Sequence, residues 1–305
     1  MKGIIKKSAS AVLCLLLAAA AALTLCSCDQ LYEFFNYDLS IDENEPEPVA
    51  QLVSHYIDVG QGDCSFIELP DGTTMLIDAG VTDMADSIAN YIRNLGYDRI
   101  DYVVATHPHS DHIGGMRRVI NQFDVGSVYM PKAETDTYTY EKLLKAVKDK
   151  GLKIKTAKAG VNIVNSTDPV FKVDIIAPVK QNYEDLNNAS AVIKISYNDI
   201  SFLYMGDAEE ISEQDILSSK ADVRADIVKV GHHGSYNSSC KEFVEAVGAS
   251  YGIISCGKGN DYGHPHKKAV DRWEKTGTTL LRTDQCGTIT VSSDGTNYYI
   301  ETEKE

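Results

Sequence analysis

Residues 106–112 read Thr-His-Pro-His-Ser-Asp-His, and this run constrains the chain more than any other stretch. His107, His109, Asp111 and His112 place four metal-capable side chains within six residues. No regular helix or strand requires that composition. In extended chain, side chains at i and i+2 point the same way. His107 and His109 can therefore address one metal ion, while Asp111 and His112 turn toward a second. Imidazole with carboxylate suits zinc, manganese or iron.

The residues ahead of the fold read as an export segment. Lys2, Lys6 and Lys7 form a basic start, Ala11 to Leu25 is apolar, and small residues follow. The segment ends Leu25-Cys26-Ser27-Cys28, which resembles the lipobox of bacterial lipoproteins. There the final Cys becomes the lipidated N-terminus, so Cys28 is the candidate. Cys26 fits less well because Leu25 precedes it where a small residue is expected. The alternative is an uncleaved anchor, since Ala11 to Cys28 spans 18 residues, near the minimum for a membrane crossing. Both readings put the rest of the chain at the extracellular face of the cytoplasmic membrane. We expect a signal peptide over 1–27, a tether over 28–50 and a folded domain over 51–305. The tether is acidic and contains Pro46 and Pro48, a composition that does not build a packed element.

Seven cysteines are present. Cys14 and Cys26 leave with the signal and Cys28 is taken by lipid. Cys64, Cys240, Cys256 and Cys286 are scattered with no CxxC pair, which is not a disulfide framework. Cys64 and Cys256 lie in apolar runs and read as core. A Cys240–Cys286 bridge is left open. The formal charge is −15, and removing the three lysines of the signal makes the chain more acidic still. That opposes tight nonspecific binding to nucleic acid, which rests on phosphate neutralisation by Lys and Arg. It leaves room for a phosphodiester held mainly by metals.

Hydrophobic periodicity predicts strands at Leu52–Val59, Cys64–Leu69 and Thr74–Ile77, with Asp71-Gly72 as the hairpin turn between the last two. Val81–Leu95 has helical spacing and stops at Gly96. Tyr102–Ala105 is a buried strand that delivers the His-rich run. Further strands are expected at 125–130, 154–156, 170–176, 191–197, 201–205, 226–230, 251–255, 279–282, 288–291 and 298–301. Helices are expected at 138–150, 209–219, 239–247 and 266–276. Two facing sheets with helices outside is the natural packing for this mixed α+β order. Metal residues then come from loops at strand ends, held by a rigid scaffold.

More candidates recur at those ends. Asp78 follows Leu76-Ile77, Asp207 follows Leu203-Tyr204-Met205-Gly206, and His232 and His233 follow Val228-Lys229-Val230-Gly231. His264 and His266 lie in Tyr262-Gly263-His264-Pro265-His266. Each alone is an ordinary cap or turn residue; together, beside the His-rich run, they read as a metal centre. The segment after Val230 is expected to be extended, so the side chains of His232 and His233 diverge and only one enters a metal shell. His55, on a strand, reads as packing.

The order of these segments resembles the metallo-β-lactamase superfamily of αββα hydrolases. More narrowly, it is similar to the extracellular hydrolase domain of the DNA-uptake protein ComEC and its stand-alone relatives. The matching stretches include Ile57-Asp58-Val59-Gly60-Gln61-Gly62-Asp63, Leu76-Ile77-Asp78-Ala79-Gly80, Thr106–Gly115, Asn188-Ala189-Ser190, Met205-Gly206-Asp207-Ala208 and Lys229–Ser235. His264-Pro265 and Arg282-Thr283-Asp284 extend the match, which spans 52–301. The resemblance implies a four-layer αββα sandwich and two divalent ions, zinc or manganese. It implies that His107 and His109 hold the first ion, Asp111 and His112 the second, with Asp207 bridging and His233 completing the second. Asp78 would then orient a ligand His through its other ring nitrogen. Asp111, His232 and His264 are the expected catalytic groups, with His232 and His264 facing substrate. His266 is expected to be a solvated helix-start residue.

One departure matters. Many relatives supply a third His to the first metal from mid-chain, but residues 113–206 contain neither His nor Cys. Asn187, Asn188 or water is expected there, and Asn188 is otherwise expected, like Asp78, to support the ligands from behind. The departure also counts against a true β-lactamase. The expected activity is hydrolysis of a phosphodiester, in DNA or in a wall- or lipid-linked phosphoester. Lactone or β-lactam hydrolysis is the second reading. The third is a metal-stabilised binding lipoprotein without turnover, which an open two-metal site argues against. For the anchor, Cys28→Ala should release the protein from the membrane fraction. Wild-type protein that partitions as soluble, with an N-terminus other than Cys28, would contradict the lipoprotein reading.

Overall fold

The central strands are buried on both faces, because successive residues enter two different cores. In Thr74–Ile77, Met75 and Ile77 face one core while Leu76 faces another. Phe202 and Leu203 divide in the same way. This demands a layer on each side of each sheet. The computed structural model describes residues 51–304. The signal peptide, the tether and Cys28 lie outside the described residues.

In chain order the strands are β1 (Leu52–Tyr56), β2 (Ser65–Glu68), β3 (Thr74–Ile77), β4 (Arg99–Val104), β5 (Asp124–Met130), β6 (Ile154–Thr156), β7 (Val161–Thr167), β8 (Val170–Ala177), β9 (Val192–Tyr197), β10 (Ile200–Tyr204), β11 (Ile227–Lys229), β12 (Tyr251–Ile254), β13 (Thr279–Arg282), β14 (Ile289–Ser293) and β15 (Tyr298–Thr302). They form an eight-stranded sheet, β15-β14-β1-β2-β3-β4-β5-β6, and a seven-stranded sheet, β13-β12-β11-β10-β9-β8-β7. A central core between the sheets gathers Leu52, Tyr56, Met75 and Val104 against Phe171, Ile193, Phe202 and Ile227. Tyr56 and Tyr204 stack across it at 5.8 Å. Helices Ala85–Asn94, Met116–Gln122 and Tyr138–Asp149 cover the outside of the first sheet. Helices Glu210–Ser218, Lys241–Val247 and Lys267–Lys275 lie on the side of the second; Phe243 and Trp273 pack with Val228 there. The result is the expected αββα sandwich.

Each sheet contains a parallel block, β3-β4-β5-β6 in one and β10-β11-β12-β13 in the other. Loops leaving the C-terminal ends of these strands carry the chemistry-bearing residues. The expected strands fall within a few residues of the observed ones, with one strand omitted. β7 was not expected: its register shifts between Asn162 and Val164, and that bulge breaks the period-two signal. Cys64, Cys240, Cys256 and Cys286 are free thiols, so the open Cys240–Cys286 bridge is not formed. No helix among the described residues is long and apolar enough to cross a membrane.

Glu213 is buried on helix Glu210–Ser218. It accepts hydrogen bonds from the backbone N–H groups of Ser239 (2.6 Å) and Cys240 (2.7 Å), fixing the loop that follows His233. Burial pushes its carboxyl up from 4.5 to about 7. Because the folded pKa lies above the unfolded one, its stabilising contribution is complete below the unfolded pKa and is lost as pH rises through about 7. The loss should total about 3 kcal/mol. Denaturant unfolding between about pH 5 and pH 8 should therefore cost wild type more than Glu213→Gln by that order. Parallel pH profiles for the two proteins would show that the site tolerates an ionised carboxylate.

Candidate metal centre

The centre begins at Asp78, directly after β3. Its carboxylate accepts from the Thr106 N–H (2.8 Å) and hydroxyl (2.6 Å) and lies 2.7 Å from His112 Nδ1. A carboxylate at Nδ1 selects the tautomer in which Nε2 carries the lone pair. The Ser255 carbonyl does the same for His233, 2.9 Å from its Nδ1. Both Nε2 atoms are buried without a hydrogen-bond partner, and so is Asp207 Oδ1. His112 Nε2 and Asp207 Oδ1 are 3.2 Å apart, yet their alignment makes no hydrogen bond. His233 Nε2 lies 3.3 Å from Asp111 Oδ2 and 3.5 Å from Asp207 Oδ2. Asp111, His112, Asp207 and His233 thus offer four ligand atoms that all lie within 4.8 Å of one another. Buried polar atoms are rarely left unpaired. Converging orphans of this donor type fit a divalent cation.

His107 and His109 stand beside this group, with His107 Nε2 3.0 Å from His109 Nδ1 and 3.8 Å from Asp207 Oδ2. Asp207 therefore faces both histidine sets. Asp111 and His112 reach their positions on the one-turn helix Ser110–Ile113, while His109 before it is extended.

Electrostatics point the same way. Burial and neighbouring His112 hold His107 well below the usual imidazole range, which favours the neutral ring. Burial also opposes charge on His112, but Asp207, Asp78 and Asp111 outweigh it and push the ring well up. His233 is raised to about 10 by Asp207 and Asp63 against its burial. Burial works against an ionised Asp207, but His112 and His233 hold it well below the carboxylate range.

Three sequence expectations need amendment. The segment carrying His232 and His233 is not extended: Gly231–Gly234 is a tight turn with His232 at φ 47° and His233 at φ 53°. The rings still separate, with centroids 6.0 Å apart, because left-handed backbone rather than strand alternation splays them. Asn188 is committed away from the metals. Its Oδ1 accepts from the Ser212 N–H (3.0 Å) and its Nδ2 donates to Glu209 (3.3 Å). Asn187 instead lines the pocket and has an unpartnered, buried Oδ1. His266 is only partly exposed, and its Nδ1 accepts from the Tyr236 N–H at 3.2 Å; it begins helix Lys267–Lys275, as expected. His55 packs against Phe66 and Tyr91 and pairs with Glu68 at 2.8 Å.

His232 and His264 face a cavity of about 410 Å³ that also exposes His109, Asp111, Asp207 and His233. Their rings are 5.4 Å apart. His232 Nδ1 is 3.0 Å from Glu209 Oε1. Burial, with His233 and His232 close by, pushes His264 down to about 4. Gln61 Nε2 lies 3.5 Å from its Nδ1, and Tyr262 stacks on it at 5.6 Å.

Residue-by-residue reading passed over Asp63, Lys229 and Glu209. Asp63 is buried, pairs with the Lys229 ammonium and approaches His233 Nδ1 at 3.3 Å. Lys229 also donates to the Gly206 carbonyl at 3.1 Å. Asp63, Asp78 and His112 form a second carboxylate-rich group, but the ammonium already supplies a cation to it. A lysine inside the apolar strand Ile227–Lys229 was the available signal, because a buried lysine requires an acidic partner. Gly62 admits no side chain: a Cβ there would meet the Asp111 carbonyl oxygen at 2.3 Å.

The family model for the metallo-beta-lactamase superfamily matches residues 57–258. ComE operon protein 3 of Bacillus subtilis (strain 168) is 30% identical over 279 residues, covering 86% of this chain and 34% of that protein. Competence protein ComA of Neisseria gonorrhoeae is 26% identical over 234 residues, covering 76% of this chain and 31% of the relative. The chain thus spans about a third of the length of these curated relatives. Among solved structures, the metallo hydrolase Igni18 of Ignicoccus hospitalis superposes with a TM-score of 0.52 at 14% identity, over 79% of this chain and 98% of that one. That likeness concerns the fold alone. The family match covers the strand ends that assemble the His–Asp centre, and the ComEC-like relatives match most of the chain, so it belongs to the metallo-β-lactamase superfamily.

Proposed function

We propose that the chain is a metal-dependent phosphodiesterase, held at the extracellular face of the cytoplasmic membrane by lipid on Cys28. The observation that carries this reading is the set of unpartnered Nε2 atoms of His112 and His233 converging on Asp111 and Asp207, beside a second His pair and under an open cavity. A site meant only to stabilise a binding protein has no need of that opening. His107 and His109 would hold one ion, with Asn187 Oδ1 an unused oxygen on the cavity wall. Asp111, His112 and His233 would hold the other, and Asp207 would bridge. Zinc and manganese both suit the donors. Ions bound there supply acidity for an attacking water and positive charge for the phosphoryl oxygens.

The remaining chemistry belongs to side chains. Glu209 holds the His232 ring at Nδ1, and in its imidazolium form the ring would give its Nε2 proton to the departing oxygen. His264, neutral in its buried position, would donate a hydrogen bond to a phosphoryl oxygen. Asp111 would orient the attacking water. Competence names among the relatives favour a nucleic-acid phosphodiester; a wall- or lipid-linked phosphoester is the alternative substrate. Metal-loaded protein should hydrolyse bis(p-nitrophenyl) phosphate or single-stranded DNA in preference to a panel of lactones, and preference for a lactone would overturn the assignment.

Asp207→Ala should lose at least one ion and nearly all turnover. Elemental analysis finding one metal or none in fully active wild type would contradict the two-ion site. His233→Ala should lower metal content together with rate. His232→Ala should keep both metals and slow turnover by roughly 10²–10⁴. Metal loss confined to His232→Ala would reverse the two roles, and undiminished rates in both variants would remove the pair from the active site.

A further inference from the structure

The parallel block of the first sheet continues beyond the His-rich loop. After β4 come β5 and β6, and the residues just past their C-terminal ends include Lys132 and Lys158. Strands in a sheet are spaced about 4.8 Å apart, so these lysines follow the metal-bearing loop at one and two strand spacings. Lys180, after β8 of the other sheet, closes the opposite side. Together with Pro131, Pro178 and Ala189 they line a cleft of about 270 Å³.

Three properties distinguish this cleft. No acidic residue lines it, although the chain carries 44 Asp and Glu against 29 Lys and Arg. Lys132 and Lys158 have no ion-pair partner among the described residues, whereas Lys180 pairs with Asp215 at 2.7 Å. The cleft also shares a wall with the catalytic cavity: in the turn Leu186–Ala189, Asn187 lines the cavity and Ala189 the cleft. The nearby carboxylate Asp185 accepts from the Asn187 N–H at 2.9 Å. At the cavity mouth, Tyr262 is 66% exposed, a flat ring open to solvent.

We propose that the Lys132–Lys158–Lys180 cleft is a second phosphate subsite, which holds a backbone phosphate of a nucleic-acid strand flanking the phosphodiester in the catalytic cavity. The inference rests on the phosphodiesterase reading. Positive charge along the backbone and an exposed aromatic for a base are the two elements of single-strand binding. In so acidic a protein, a local track of lysines lets a polyanion approach without a basic surface overall. The three lysines would position the strand and take no part in bond cleavage.

The test is binding, read by fluorescence anisotropy of a labelled single-stranded oligothymidylate across a salt series. The proteins are wild type, Lys132→Ala/Lys158→Ala and the control Lys241→Ala, whose lysine pairs with Glu245 and lies outside both cavities. The double variant should bind roughly tenfold more weakly, and its log affinity against log salt slope should fall by about 1.4, the value for two lost single-strand phosphate contacts. Its hydrolysis of the oligonucleotide should fall at least tenfold more than its hydrolysis of bis(p-nitrophenyl) phosphate. Unchanged affinity and slope, or an equal loss in Lys241→Ala, would overturn the subsite. A polyglycerol phosphate that competes as well as the oligonucleotide would overturn its assignment to nucleic acid. If wild type hydrolyses neither ester while the double variant still loses binding and slope, the phosphodiesterase reading fails and the subsite stands.

Discussion

Asp78 accepts hydrogen bonds from the Thr106 N–H and hydroxyl, and its carboxylate meets His112 Nδ1, all in the interior. It ties the end of β3 to the loop leaving β4, and the alignment of His112 Nε2 depends on it. It holds a left-handed backbone, φ 58°, which is uncommon for a residue with a side chain. Such strain persists where the surroundings over-determine it. Here three polar groups of the neighbouring loop do so. Loss of this carboxylate would leave the buried Thr106 and His112 N–H groups unsatisfied, at about 1–3 kcal/mol each. The damage would reach the ligand set as well as stability.

The rest of the interior balances that acidity. Asp63, Asp78, Asp111 and Asp207 crowd one region, and Lys229 answers Asp63 directly. Removing one partner of a buried pair typically costs about 3–5 kcal/mol, so Lys229 and Asp63 are fixed to each other. Asp63 in turn braces the loop: its N–H donates to the Asp111 carbonyl and its own carbonyl accepts from Gly80. The uncompensated charge falls on Asp207 and Asp111, and it holds the His112 and His233 rings well above the usual imidazole range. An ion held by these nitrogens would compete with protons for them, and its binding would weaken as pH falls.

How much of this was legible in the sequence depended on how local the signal was. The His-rich run, Asp78 and Asp207 are flanked by apolar strands, so their positions at strand ends follow from pattern. The four layers follow from strands apolar on both faces. The Gly231–Gly234 turn was misread as extended, because nothing in Val-Gly-His-His-Gly announces two left-handed histidines. Asn188 could not be separated from Asn187 by spacing; only the Ser212 N–H and Glu209 decide which amide oxygen stays free. Glu209 reads as an ordinary helix-start acid until His232, 23 residues later, folds against it. Asp63 and Lys229 are far apart in sequence, and their pairing is a tertiary fact.

The centre is also divided between the two sheets. Asp78 and the His107–His112 run leave β3 and β4 of the first, while Asp207, His233 and Ser255 leave β10, β11 and β12 of the second. Within each sheet these strands run parallel, so their loops emerge at the same end. Neither sheet alone holds both His112 and Asp207, and the unpartnered atoms face one another only once the central core has packed. A divalent ion joining them would bind the folded chain and not the unfolded one, and would add its binding free energy to folding. The loop after β1 is part of the same packing: a Cβ on Gly62 would meet the Asp111 carbonyl oxygen at 2.3 Å, so a methyl group there would displace Asp111 from beside His233.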